Sequence, residues 1–152
     1  MVPDTLTYRK LPALWLLVTL PEPQPVAATL DIMLRPMGAE TFSRFNDLPV
    51  QLAIPPGFPA DCAVRCDDTA ALPDFATLAA HLARLDPRRL KELVISPKGL
   101  RIVWLAEEAN RTRYLVFRDA EMGMTPLPPA GLAPILAALL ALQGDLHHRE
   151  AA

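Results

Sequence analysis

LVISPKGLRIVWLA, residues 93–106, decides the fold. Ser96-Pro97-Lys98-Gly99 is a tight turn, because proline presets one corner and glycine accepts the torsions of the other. The runs on either side, 93–95 and 100–106, consist mostly of Val, Ile, Leu and Trp, which suit a pleated ladder. They predict two antiparallel strands. A polar loop at 107–111 leads to a third run, TRYLVFR at 112–118, which predicts another strand and an antiparallel meander. With residue 106 opposite 112, Trp104 faces Tyr114 and Ile102 faces Val116. One face of this 100–118 hairpin then carries Leu100, Ile102, Trp104, Tyr114 and Val116. The other carries Val103, Leu105, Leu115 and Phe117, flanked by Arg101 and Arg113.

Upstream, 13–20 is apolar apart from Thr19 and predicts a strand covered on both faces. Pro21, Pro23 and Pro25 end it. Residues 29–35 alternate, with Leu30, Ile32 and Leu34 inward and Thr29, Asp31, Met33 and Arg35 outward. A turn at 36–38 and a helical turn near 40–45 precede a strand at 48–54. Cys62, Val64 and Cys66 line the inner face of another. Asp74 caps a helix over 74–85, with Phe75, Leu78, Leu82 and Leu85 on one face. Residues 88–93 predict a short helix or turn. A last helix runs from Leu132 to a glycine cap at Gly144. The order is ββββ-α-βββ-α. That is an α+β fold with a largely antiparallel sheet of six or seven strands and two main helices, in one domain over 1–152 with loose ends at 1–10 and 145–152.

Composition narrows function mainly by exclusion. The net charge is −2 and the chain is 51% hydrophobic, which argues against nucleic-acid binding. Arginine far outnumbers lysine beside abundant Ala, Leu and Pro, a pattern of GC-rich, bacterial coding. Six glycines form no phosphate-binding loop. Ser43 and Ser96 sit in no nucleophile elbow. His81 falls on the polar face of its helix. His147 and His148, adjacent in the chain, diverge on a helix. Asp67-Asp68 and Glu107-Glu108 lie at strand ends as turn acids. Asn110-Arg111-Thr112 matches a glycosylation sequon. Cys62 and Cys66, on one extended strand, stand beyond bridging distance and predict reduced, structural thiols. No metal site, cofactor or catalytic residue is expected.

Arg9 and Lys10 before the apolar run 11–20 give the outline of a signal peptide, but Pro12 and the prolines after Leu20 favour a structural strand and a cytoplasmic protein. Neither that run nor 127–142, which Pro128, Pro129 and Pro134 interrupt, predicts a membrane span. The remaining signal is the two-faced hairpin. It points to a non-enzymatic binding or assembly module, self-associating as a homodimer or meeting another protein, with Arg101, Val103, Trp104, Leu105, Arg113, Tyr114, Leu115 and Phe117 at the contact. The rivals are a small hydrolase using loop carboxylates with His81, and a carrier of small apolar ligands.

Overall fold

The computed structural model describes residues 11–36, 40–70 and 72–150. In chain order the elements are β1 (Ala13–Leu20), β2 (Leu30–Leu34), β3 (Val50–Leu52), β4 (Cys62–Cys66), α1 (Phe75–Leu82), β5 (Leu90–Ser96), β6 (Gly99–Glu108), α2 (Arg111–Phe117) and α3 (Pro129–Glu150). A single 3-10 turn, Phe45–Asp47, precedes β3. The architecture is α+β, as expected, with three helices rather than two among the described residues.

The six strands form one antiparallel sheet in the order β1-β6-β5-β2-β4-β3. Its register explains both faces. Val18, Ile102, Leu93, Ile32, Val64 and Leu52 are successive cross-strand partners, a row that runs the width of the sheet. Side chains alternate along a strand, so these residues and their i±2 neighbours share one side. Helices α1 and α3 cover that side. Leu30, Ile32, Cys66, Leu78, Leu93, Ile102, Ile135, Leu139 and Leu142 belong to the resulting core cluster. Shortening Ile135 to Val removes one methylene from α3 where it is 1% exposed. This is expected to cost about 1 kcal/mol by urea unfolding.

Three expectations are corrected. The segment expected as a strand at 112–118 is helix α2. Asn110 caps it by accepting from the Arg113 amide at 3.0 Å, and Arg118 closes it in a left-handed conformation, φ 55°. The third strand of the meander has no place, because β6 is already paired on both sides, with β5 and with β1. Residues 88–93, expected as a helix or turn, contain the start of β5, where a bulge at Lys91 breaks the alternation. Gly144 does not end the last helix, which continues to Glu150.

Helix α3 is long and apolar enough to cross a membrane by length and composition. One stripe of it, including Ile135, Leu139 and Leu142, is nevertheless packed into the core. β1 also departs from expectation. It occupies an edge of the sheet, and none of its eight residues is buried.

Candidate functional site

The residues expected at one interface are scattered. Val103 is fully buried and Trp104 lies in the core beside α3's partners, while Leu105 is half-buried opposite Trp15. Arg101 is exposed on the sheet face away from the helices. Arg113, Tyr114, Leu115 and Phe117 belong to α2, so they do not oppose β6 at all. Arg113 pairs with Asp119 at 2.6 Å and Glu121 at 2.8 Å. Tyr114 lies under the Arg118 guanidinium. Leu115 and Phe117 are exposed, Phe117 at 74%.

The groups of the hydrolase reading are not brought together. His81 is buried rather than solvated, because α3 crosses α1, and its Nε2 meets Asp145 Oδ2 at 2.7 Å. Asp67 accepts from the Thr29 amide and Asp68 from the Ala70 amide, so both hold local backbone. Glu107 accepts from the Gly123 amide. Asn110 of the sequon is the cap of α2. His147 and His148 are exposed on α3, with His148 Nδ1 at 2.6 Å from the Gly144 carbonyl. Cys62 and Cys66 are free and buried, and burial raises both thiol pKa values, which leaves them protonated and unreactive. Among the described residues no three His, Cys, Asp or Glu side chains are grouped to hold a metal.

Polar chemistry gathers instead on the face opposite the helices. The row adjoining the core row there is Thr19, Arg101, Val94, Asp31, Arg65 and Gln51, again successive partners across all six strands. The next row on the same face places Glu92 between Val103 and Met33. Asp31 and Glu92 are thus diagonal neighbours on adjacent strands. Asp31 is 3% exposed and Glu92 1%. The 40–48 segment crosses this face. Phe42 packs on Trp15, Phe45 lies beneath the Arg65 guanidinium, and Glu40 pairs with the buried Lys91 at 2.9 Å. The Ser43 hydroxyl donates to Glu92 Oε1, while Ser43 Oγ accepts from the Phe45 amide.

Burial shifts both carboxyls toward the protonated form. Burial, then the Glu92 charge, then a hydrogen bond to Glu92 raise Asp31 from 3.8 to about 9. Burial also raises Glu92, but the bonds from Ser43 and Asp31 oppose that rise. Asp31 is therefore a neutral acid near pH 7, hydrogen-bonded to Glu92. Asp31 Oδ1 is buried without a hydrogen-bond partner. The pair lies in a cleft of about 670 Å³ between the sheet face and the 40–48 segment, with Arg101, Arg44 and Lys98 also on its walls.

Alternation placed Asp31 correctly on the outward face of its strand, but it does not show what covers that face. Glu92 was missed because its strand was missed. The available signal was the apolar run 93–95, which extends back through Leu90 once a bulge is allowed.

The edge strand is the second feature. Among the described residues no backbone group pairs with the outer edge of β1. Its sequence, ALWLLVTL, contains no charge and no proline. Comparison with family models, with curated proteins and with solved structures finds no match for the chain.

Proposed function

We propose that the protein is a non-enzymatic assembly module that forms a two-fold homodimer through the outer edge of β1. The observation that carries this is an eight-residue apolar edge strand with no buried residue and no partner on its outer side among the described residues. Natural sheets guard such edges with charges, proline or short strands, since unpaired amides and carbonyls recruit another strand. β1 has none of these within it. A second copy is the natural occupant. An antiparallel strand pair is its own two-fold partner, and two-fold dimers are the commonest closed assembly.

Facing residues in such a pair must lie on the same side of the sheet, so the axis passes through a residue and not between two. An axis through Leu17, which is 42% exposed, sets it against its own copy and extends two six-stranded sheets into one. Arg113, Tyr114, Leu115 and Phe117 are then outside the strand contact.

Leu17→Lys opposes two like charges across the axis. Sedimentation equilibrium is expected to find a dimer for the full chain and a monomer for this variant, with an unchanged circular dichroism spectrum. A monomeric wild type at high micromolar concentration overturns the reading, as does a Leu17→Lys dimer of wild-type affinity.

A further inference from the structure

The β1 edge has a companion on the core side of the sheet. Helix α3 packs on both β1 and β6 and so lies along that edge. The chain that leads into it passes the start of β1, where a Cβ on Gly123 would lie 3.5 Å from the Leu14 side chain. Further on, Gln143 Nε2 donates to Glu22 Oε2 at 2.7 Å, just past the end of the same strand. α3 therefore runs beside β1 in the same direction, and the part of the helix before Gln143 is level with Leu17.

The faces of α3 divide by position, at about 100° per residue. Ile135, Leu139 and Leu142 point into the core. Asp145 and Arg149 lie on one flank and reach α1 and its cap, through His81 at 2.7 Å and Asp74 at 3.1 Å. Leu132, Leu136 and Gln143 lie on the opposite flank, which is the flank beside the β1 edge. Leu132, Leu136 and Leu140 are four residues apart and form one ridge, of the kind that interdigitates between packed helices. The ridge is open, with Leu136 40% and Leu140 56% exposed.

The spacing of the sheet selects the occupant. Neighbouring strands lie about 4.8 Å apart. The two-fold axis of a β1 pair stands perpendicular to the sheet, half a spacing outside β1, and keeps both α3 helices on one side. A helix that packs on β1 and β6 lies about half a spacing inside β1. Each α3 is then about one spacing from the axis, and the two are about 10 Å apart. Helices pack at 8–10 Å. A strand edge alone is also a thin contact, whereas stable dimers bury about 1,600 Å² in total.

We propose that the α3 helices of two copies pack antiparallel across the two-fold axis, ridge to ridge through Leu132, Leu136 and Leu140. This rests on the β1-edge dimer and adds a second layer to it. The pair of helices roofs the strand joint and supplies the apolar area that the strand edge lacks.

Sedimentation equilibrium on Leu136→Glu and Leu140→Glu tests the contact. Both positions are exposed, so both variants are expected to keep the wild-type circular dichroism spectrum and to dimerise at least about tenfold more weakly. Single cysteines placed at 132, 136 and 140 supply a second measurement, since the native Cys62 and Cys66 are buried. Mild oxidation is expected to yield a covalent dimer from at least one of them. Ala80→Cys, exposed on α1, is expected to yield none. If Leu17→Lys is monomeric but both glutamate variants dimerise with wild-type affinity, the helix contact is overturned and the strand joint stands. A Leu17→Lys dimer of wild-type affinity overturns the strand joint, and this proposal with it. A monomeric wild type that sediments with phosphatidylglycerol vesicles, and loses them on Leu136→Glu, assigns the ridge to a lipid surface and overturns the proposal.

Discussion

Replacing Asp31 with asparagine is expected to stabilise the protein near pH 8 and to leave its stability almost unchanged near pH 4. In the folded chain the Asp31 carboxyl titrates near 9, against 3.8 for an ordinary aspartate, chiefly because burial penalises its charged form. Between those values the folded state holds a proton that the unfolded state has released. Stability therefore falls as pH rises through this window and levels off above it, with a limiting slope of about 1.4 kcal/mol per pH unit. Asparagine has the same shape, keeps an acceptor, and donates to Glu92 through its amide without taking up a proton. The gap between variant and wild type should thus widen steadily from about pH 4 to about pH 9.

The charges that face Asp31 do not reverse this sign. Glu92 pushes its pKa up and Arg101 pulls it down by less. Asp74, held down at about 2 by Thr77 and Arg149, has the opposite slope, but only below the window. Urea unfolding across the pH range checks the expectation. A constant gap, or a variant less stable near pH 8, would show that Asp31 does not hold a proton in the folded chain.

The contrast between Asp31 and Phe117 shows what the sequence could and could not convey. Alternation alone placed Leu30, Ile32, Cys62, Val64 and Cys66 on the core face, and the register bears that out. Alternation says which side a residue takes, not what lies over that side. The outward Asp31 is buried because the 40–48 segment crosses it, a contact between parts of the chain with no shared pattern.

The error at 112–118 has a different origin. Tyr114, Leu115, Val116 and Phe117 have strong strand propensity, but propensity cannot reserve a free edge on β6. β1, far upstream, had already taken it. Residues 100–106 were legible because their partner is local, across the Ser96–Gly99 turn, and both sides of the turn carry the same signal. Glu92 was lost to the bulge at Lys91, which shifts the face of every residue before it.

Gly99→Ala is expected to destabilise the protein by about 3 kcal/mol or more. The glycine does more than close the turn. Its φ is +151°, outside the region that residues with a side chain readily adopt. A Cβ built there overlaps the Leu20 carbonyl oxygen and lies 3.3 Å from Pro21 Cα, both backbone atoms where the adjoining strand β1 ends. No rotamer change relieves that contact, so either the turn or the end of β1 must move. Leu20 is the last residue of β1 and faces Leu100 in the β6 register. The displacement therefore opens the β1–β6 ladder from the end where Thr19 and Arg101 meet, on the floor of the cleft. Amide exchange is expected to show lost protection at residues 18–20 and 100–102, while the α1 and α3 amides stay protected to the limit set by the lowered global stability. Asparagine tolerates left-handed backbone elsewhere, but it brings the same Cβ and is expected to fare no better than alanine. If Gly99→Ala unfolds at the wild-type urea midpoint, the close approach of Gly99 to the Leu20 carbonyl is not a constraint on this sheet.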